Sequence, residues 1–252
     1  MKTLIIIPAR MKSSRLPNKP LADIHGKPLI QHVWEHGMKA DIGSVYVACS
    51  EEEVYETVLA FGGKPIMTDP DLPSGSDRVS AAYQSLGEDA DAIINLQGDL
   101  AVIDPSLLRR ALEPLKNSDV DIGTLVAPLS DPEALETSSI AKAFLRFDNE
   151  GDSIGQAYHF SRLEDYPKME SLPFPDTDVK NLYHHIGLYA YRPSSLARYV
   201  SFPEGVLEKQ ERLEQLRALE NGMRIDAAIV HSIPFEINTP EDLEKTRRLL
   251  VA

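Results

Sequence analysis

Thr3-Leu4-Ile5-Ile6-Ile7 is a run of five aliphatic or β-branched residues, and Pro8-Ala9-Arg10 follows it directly. A continuous run of this kind is typical of a strand that is buried on both faces of a parallel sheet. Similar runs, with helically spaced segments between them, predict further strands at 44–48, 64–67 and 92–96 and helices at 29–38, 51–61 and 76–86. Strands that alternate with helices predict right-handed βαβ units and a mostly parallel sheet.

The pattern changes after about residue 120, where strand-like stretches follow one another at 122–127, 142–147 and 185–191. We interpret this part as a smaller antiparallel lobe. The Pro-rich segment 167–178 predicts a loop. Two further helices are predicted. One spans 206–220 and places Glu211 and Gln215 on one side, and the other begins at Thr239-Pro240, where Thr suits the N-cap and Pro the first helical position.

Composition and charge exclude several classes of protein. The net charge is −13, which argues against a nucleic-acid binder, because such proteins need a basic surface to neutralise phosphates. Residues 1–27 nevertheless carry +5, and the other residues carry −18. The apolar run at 3–7 is too short for a signal-peptide core or a membrane span, so we expect a cytoplasmic protein. The single cysteine, Cys49, ends an apolar run and is expected to be a buried thiol.

A basic loop follows the first predicted strand. Its cations and hydroxyls are Arg10, Lys12, Ser13, Ser14, Arg15 and Lys19. Ligands of open α/β sheets bind at the carboxyl ends of the strands, and guanidinium groups with a lysine suit a triphosphate. A solvated basic loop is the alternative interpretation of the same residues.

Two other segments point to the same edge of the sheet. Asp99 follows the strand predicted at 92–96, and a carboxylate there is the ligand type that Mg²⁺ prefers beside phosphates, although an isolated Asp at a strand end is more often a turn cap. Ser74 and Gly75 precede the helix predicted at 76–86. They can bring backbone amides near an anion or a base edge, or serve as a plain N-cap.

Motifs throughout the chain resemble those of sugar nucleotidyltransferases, and in detail those of the CMP-3-deoxy-manno-octulosonate (CMP-Kdo) synthetase family. The matching motifs are Ile6-Ile7-Pro8-Ala9-Arg10, Ser13 to Leu16, Lys19-Pro20-Leu21, Gly26-Lys27-Pro28, Ser74-Gly75, Gln97-Gly98-Asp99, Phe160-Ser161-Arg162, His185 to Tyr189, Leu213 to Arg217 and Thr239 to Leu243. The resemblance implies a Rossmann-like nucleotide-diphospho-sugar transferase fold. It implies one domain, 1–252, with a nucleotide-binding part at 1–120 and a sugar-binding and dimerisation part at 121–252.

The resemblance also implies roles for individual residues. The phosphates and base of CTP would contact Arg10, Ser13, Arg15, Lys19, Ser74, Gly75, Arg78 and Gln97, with Arg10 and Lys19 closest to the reacting centre. Asp99 would be the catalytic metal ligand, with Asn238 at the position of a second one. The acidic sugar would contact Arg162, His185, Tyr189, Glu211 and Gln215. Without the family, His185 reads as a satisfied core histidine, and Glu211 with Gln215 as a solvated helix face.

The sequence departs from the family pattern at several positions. Leu100-Ala101 replaces Glu-Pro after Asp99, and Asn238 replaces an aspartate, so a carboxylate is missing from each motif. His159 replaces a tyrosine, and His184 replaces an arginine. Two explanations compete: a site retuned for a modified sugar, and a site that has decayed. All the basic-loop cations are present, which favours retuning, and the variant sugar known in this family is 8-amino-3,8-dideoxy-manno-octulosonate.

The resemblance therefore predicts a Mg²⁺-dependent cytidylyltransferase of lipopolysaccharide biosynthesis. It would join CMP from CTP to an acidic eight-carbon sugar and act as a homodimer, without nucleic-acid or membrane partners. Two alternatives stay open: a cytidylyltransferase for another acidic sugar such as a nonulosonate, and a non-catalytic nucleotide-binding regulator.

Overall fold

The computed structural model describes residues 1–13, 15–129, 137–162 and 181–250. The predicted loop at 167–178 lies outside the described residues. The strands are β1 (Thr3–Ala9), β2 (Asp23–Ile24), β3 (Lys27–Pro28), β4 (Gly43–Cys49), β5 (Pro65–Met67), β6 (Ala92–Asn95), β7 (Ile122–Pro128), β8 (Lys142–Arg146), β9 (Ile154–Ser161), β10 (Leu182–Tyr191) and β11 (Ile225–Ile229). The α-helices are α1 (Leu29–Ala40), α2 (Glu52–Ala60), α3 (Gly75–Leu86), α4 (Ser106–Ala111), α5 (Pro193–Val200), α6 (Val206–Glu211), α7 (Leu216–Glu220) and α8 (Pro240–Leu249).

The chain divides into two compact units. Unit 1 comprises 1–109, 190–200 and 234–252, and unit 2 comprises 110–189 and 201–233. The boundary predicted near residue 120 thus differs from the observed one, because two later segments return to unit 1. Among the described residues, every helix is too short or too polar to cross a bilayer.

Unit 1 is built on four parallel strands in the order β5-β4-β1-β6. Ile5 pairs with Val45 on one side and with Ile94 on the other, and its side chain is fully buried. The β-branched run at 3–7 therefore forms an interior strand, as its composition predicts. The predicted strands and helices of this part are present, with ends that differ by at most two residues.

Side-chain caps fix the beginnings of two helices in unit 1. Ser74 accepts the backbone N–H of Asp77 at the start of α3, and Thr239 accepts that of Asp242 at the start of α8. The carboxylate of Asp242 in turn accepts the N–H of Thr239. Such a capping box satisfies backbone donors that the first turn leaves unpaired, so α8 begins where the sequence predicts.

In the part of unit 2 that the structure describes, the strands follow the order β10-β7-β11-β9-β8, with β10 belonging to this unit up to Tyr189. The first residues of β10 also pair with β8. The pairs β11–β9, β8–β9 and β10–β8 are antiparallel, whereas β7 and β11 are parallel. The predicted antiparallel lobe is therefore mixed. The α/β class predicted for the chain is confirmed.

The single helix predicted over 206–220 is wrong. It is interrupted after Glu211, because Arg212 adopts a left-handed conformation (φ 54°) and caps α6. Gln215 lies at the N-cap of the next helix, α7, so Glu211 and Gln215 do not share one helical face. A buried bidentate ion pair between Arg217 and Glu208, with nitrogen–oxygen distances of 2.6 and 2.8 Å, joins the two short helices.

Candidate functional site

A polar cavity of about 320 Å³ lies in unit 1, where the carboxyl ends of β1 and β6 meet the first turn of α3. The described residues that line it are Pro8, Ala9, Arg10, Lys12, Ser13, Arg15, Lys19, Pro20, Ser74, Gly75, Arg78, Gln97, Gly98, Asp99 and Asn238. All ten residues that the sequence assigns to the nucleotide or the metal are among them. Their common location agrees with the expectation that parallel strands present ligand sites at their carboxyl ends.

The charge of the cavity is strongly positive. Among its described lining residues, five side chains are cationic, and Asp99 is the one carboxylate. The ammonium of Lys19 donates to Asp99 Oδ2 and to the carbonyl of Ile237, both at 2.8 Å. Arg15 Nη2 donates to Asn238 Oδ1 at 3.1 Å. The remaining excess of positive charge suits a polyanion such as a triphosphate.

Glycine is required where the backbone closes around this cavity. A Cβ at Gly98 would lie 2.7 Å from the carbonyl oxygen of Pro8, a distance that real Cβ atoms essentially never show. The close approach brings the segment after β6 against the end of β1. As a result, Asp99 and the basic loop share one cavity.

A buried polar chain orients Gln97. Its Nε2 donates to Asn95 Oδ1 at 3.0 Å, and Asn95 Nδ2 donates to Ser76 Oγ at 3.1 Å. Ser76 Oγ lies 3.1 Å from the hydroxyl of Tyr191. Buried polar groups with satisfied bonds hold one conformation, so the amide of Gln97 reaches the cavity in a fixed orientation.

Two other residues stabilise the backbone segments around the cavity. The guanidinium of Arg78 is buried and donates to Thr68 Oγ1 at 2.6 Å and to the carbonyl of Asp69 at 3.0 Å; its burial lowers its pKa. Glu51 accepts the backbone N–H of Met11 at 3.0 Å and thereby anchors the basic loop. Sequence reasoning missed Glu51, because an acid at the start of a helix ordinarily reads as a favourable first-turn charge.

The oxygen donors Asp99 and Asn238 fit a hard cation such as Mg²⁺, which prefers carboxylate and amide oxygens. Among the described residues, no group of three or more His, Cys, Asp or Glu could hold a metal ion. A metal here would therefore need further ligands, and phosphate oxygens are the usual ones for Mg²⁺.

Unit 2 brings the five predicted sugar-binding residues into one cluster. Tyr189 donates its hydroxyl to Gln215 Oε1 at 3.1 Å, and Gln215 Nε2 lies 3.4 Å from His185 Nδ1. His185 Nε2 lies 3.1 Å from Thr124 Oγ1, which lies 2.9 Å from the carbonyl of Leu188. A neutral imidazole with its proton on Nε2 satisfies every link of this chain.

Burial keeps His185 neutral. Its side chain is surrounded by the rings of Phe160 and Tyr189, and this desolvation, with smaller contributions from His184 and Arg162, lowers its pKa to about 3. The family-independent interpretation, a satisfied core histidine, therefore describes its environment correctly. Thr124 was not predicted, because a threonine within a strand ordinarily indicates packing only.

Glu211 and Arg162 are the other two predicted sugar-binding residues in unit 2. Its Oε2 accepts the backbone N–H of Arg162 at 2.8 Å and the hydroxyl of Ser161 at 3.1 Å. The guanidinium of Arg162 donates through Nη1 to the carbonyls of Ser138 and Ser139 at 3.2 and 3.0 Å. Glu211 is thus fixed against β9 and is not part of a solvated helix face.

The positions that depart from the family pattern differ in what they contribute. Leu100 and Ala101 are buried, so they pack in the core and add no group to the cavity. His159 is buried as well, and desolvation lowers its pKa. His184 pairs across the sheet with Lys142, and desolvation followed by the charge of Lys142 lowers its pKa. Only Asn238 reaches the cavity of unit 1.

Comparison with known proteins gives concordant matches. A family model described as Cytidylyltransferase matches residues 4–225. The chain is 50% identical over 251 residues to a 3-deoxy-manno-octulosonate cytidylyltransferase of Paramagnetospirillum magneticum, covering 99% of this chain and 98% of the relative. It is 47% identical to the protein of that name from Rhodospirillum rubrum, covering 98% and 95%.

Solved structures agree with these matches. A CMP:2-keto-3-deoxy-manno-octonic acid synthetase complexed with CTP superposes with a TM-score of 0.85 at 37% identity, covering 100% of this chain and 99% of that one. A cytidylyltransferase from Leptospira borgpetersenii has a TM-score of 0.62 at 17% identity, covering 100% and 87%, and this likeness concerns the fold alone.

Proposed function

The chain belongs to the cytidylyltransferase family and is a nucleotidyltransferase, and from that premise we propose that it transfers CMP from CTP to a 3-deoxy-manno-octulosonate-type sugar acid and releases pyrophosphate. The observation that carries the proposal is the cationic cavity at the ends of β1 and β6, with the motifs of the family in place around it. Its volume of about 320 Å³ lies at the lower end of the range of small-molecule pockets.

In this reaction the anomeric C2 hydroxyl of the sugar attacks the α-phosphorus of CTP in line, and pyrophosphate leaves. Such a transfer needs positioning and charge neutralisation rather than a covalent nucleophile. We assign to Arg10 and Lys19 the stabilisation of charge on the departing pyrophosphate. Arg15 and Ser13 would bind its other oxygens, and Ser74, Gly75 and the oriented amide of Gln97 would bind the nucleoside side of CTP.

Mg²⁺ is proposed as the cofactor, held by Asp99 and, through its amide oxygen, by Asn238. When bound, the ion supplies charge neutralisation for the phosphates. Lys19 donates to the carboxylate of Asp99, and Arg15 donates to the amide oxygen of Asn238, so these two side chains would compete with the metal ion for its ligand oxygens. The negative phosphate groups of CTP would attract the ammonium of Lys19 and thereby free the carboxylate of Asp99 for the metal ion.

Unit 2 would hold the sugar acid. Arg162 has guanidinium N–H groups beyond the two bonds of Nη1, and planar N–H donors suit a carboxylate. The chain of Tyr189, Gln215 and His185 is buried and bonded internally, so a sugar hydroxyl would bind by replacing one of these hydrogen bonds. A neutral imidazole can exchange a hydrogen bond in this way without adding charge.

We further propose that the sugar is 8-amino-3,8-dideoxy-manno-octulosonate. The support comes from His184, which stands where the family pattern has an arginine. Its pKa is lowered by burial and by Lys142, so the position is neutral at pH 7. The sugar-binding unit therefore carries one cation fewer, which reduces repulsion of an ammonium group on the substrate. Asn238 bears on the metal instead, because it lines the cavity of unit 1.

Release of pyrophosphate from CTP with each sugar acid tests both levels of the proposal. We expect kcat/KM for the 8-amino sugar to exceed that for the hydroxyl sugar by at least about tenfold, or 1.4 kcal/mol. His184→Arg should shift the preference toward the hydroxyl sugar, and Asn238→Asp should change the Mg²⁺ dependence and leave the preference unchanged. Lys39→Gln makes the same change of one charge unit on an exposed residue of unit 1 and is the charge control.

The outcomes separate the remaining hypotheses. Equal rates with both eight-carbon sugars would refute the amino-sugar specificity alone. Turnover of a nonulosonate and of neither eight-carbon sugar would favour the rival cytidylyltransferase. The hypothesis of a non-catalytic regulator is inconsistent with the membership of the chain in a family of nucleotidyltransferases. A homodimer and a cytoplasmic location stay predictions.

A further inference from the structure

Lys142 in β8 is fully buried, with 0% of its surface exposed, although lysine is among the residues least often found in protein interiors. Its ammonium donates to the carbonyl oxygen of Thr137 at 2.5 Å and to that of Arg162 at 3.1 Å. In the part of the chain that the structure describes, no carboxylate pairs with it. Desolvation, and then the charge of Arg162, lowers its pKa.

A buried ammonium without a counter-ion is costly, and its two carbonyl partners offset only part of that cost. A neutral apolar residue at this first position of β8 would avoid the penalty. The two carbonyls indicate what the ammonium of Lys142 stabilises. One belongs to Arg162, the predicted ligand of the sugar carboxylate, and the other belongs to Thr137, which precedes the residues that the guanidinium of Arg162 contacts.

The main chain of Arg162 is held on both sides. Its N–H donates to Glu211 Oε2 at 2.8 Å, and its carbonyl accepts from Lys142. Its guanidinium donates to the carbonyls of Ser138 and Ser139, and the carbonyl of Thr137, the residue before them, accepts from Lys142. Three consecutive carbonyls of one segment thus accept hydrogen bonds from two neighbouring cations.

This arrangement engages one nitrogen of the guanidinium. Nη1 is occupied by the segment 138–139, and among the described residues neither Nε nor Nη2 has a hydrogen-bond acceptor. Two donors in the plane of the guanidinium are therefore left for a bidentate partner, and a carboxylate is the partner that fits such a fork.

We propose that Lys142 is a positioning residue for the sugar acid: by binding the carbonyls of Thr137 and Arg162, it fixes the guanidinium of Arg162 for the substrate carboxylate. This inference rests on the proposed function and adds a residue to it. Lys142 does not touch the substrate itself, so its effect on sugar binding requires Arg162.

The test is a double-mutant cycle on the full-length protein, with pyrophosphate release as the assay. Lys142→Met keeps the aliphatic stem and removes the charge. We expect it to raise KM for the sugar acid at least about tenfold and to change KM for CTP less than about twofold. In the Arg162→Ala background, Lys142→Met should have no further effect, because non-additivity is the signature of residues that act as a unit. Lys116→Met, on an exposed lysine of the same unit, is the control and should leave both constants unchanged.

If Lys142→Met does not fold, a comparison of Lys142→Gln with Lys142→Arg tests the same inference. The arginine variant retains the charge and should bind the sugar acid better than the glutamine variant. Additive losses in the cycle, equal losses for CTP and sugar, or a glutamine variant that equals the arginine variant would each overturn the inference. Absence of turnover in the wild-type protein with every sugar acid would instead refute the proposed function.

Discussion

The neutral state of His185 predicts a specific loss of stability in mild acid. The pKa of His185 in the folded protein is lowered to about 3, from the ordinary imidazole value of about 6.5. Between these values the unfolded chain binds a proton that the folded chain excludes. The free energy of unfolding therefore decreases as the pH falls below about 6.5, and the decrease from this group is complete near pH 3.

The magnitude follows from the two pKa values. At pH 5 the unfolded imidazole is almost fully protonated and the folded one almost fully neutral, which corresponds to a loss of about 2 kcal/mol relative to pH 7.5. That is a large part of the stability of an ordinary domain. The chemical reason lies in the chain from Gln215 to Thr124, because a proton on Nδ1 would face the N–H of Gln215 in a dry environment.

Urea unfolding at pH 7.5, 6 and 5 measures the effect in the wild type and in His185→Asn. The asparagine carbonyl can still accept from Gln215 but does not titrate. We expect the wild type to lose about 2 kcal/mol more than the variant between pH 7.5 and pH 5. His159 and His184 are present in both proteins, so their contributions cancel. Parallel decreases in the two proteins would refute the assignment of a buried neutral imidazole.

Three further predictions concern unit 1. Arg10→Ala should reduce kcat about a hundredfold, on the order of 3 kcal/mol, since it removes one preorganised charge donor; turnover like that of the wild type would exclude the basic loop from the active site. Asp99→Ala should abolish Mg²⁺-dependent turnover while circular dichroism shows an unchanged fold, and activity that responds normally to a Mg²⁺ titration would contradict its role as a metal ligand. The thiol of Cys49, whose pKa burial raises to about 12, should react with a thiol reagent at pH 8 only in urea, and rapid labelling of the native protein would show that it is accessible.

The sequence predicts unit 1 well because its signals are local and mutually consistent. The run at 3–7 has the composition of an interior strand, and Thr239-Pro240 specifies a helix start through side-chain chemistry alone. The basic loop and Asp99 could be placed together because both follow parallel strands, whose carboxyl ends share one edge.

The failures occur where tertiary contacts override local preference. Arg212 adopts a left-handed conformation, which is predictable from sequence where the residue is a glycine and is not predictable for an arginine. The ion pair of Glu208 with Arg217 joins the helices on either side of Arg212. The burial of Lys142 could not be predicted from the sequence, because a lysine at the beginning of a strand is ordinarily interpreted as a solvent-facing residue. Its partners lie 5 and 20 residues away, at distances that no periodicity encodes.

The discontinuity of unit 1 has a consequence for biosynthesis. Lys19 and Asp99 are synthesised early in translation. Ile237, whose carbonyl accepts the second hydrogen bond of Lys19, is added 218 residues after that lysine. The nascent protein must therefore hold an incomplete cavity while the whole of unit 2 is synthesised. The complete cavity would then be acquired in one late step, when the segment 234–250 docks, and a ribosome stalled before that segment would display a polypeptide that lacks Asn238 and the carbonyl of Ile237.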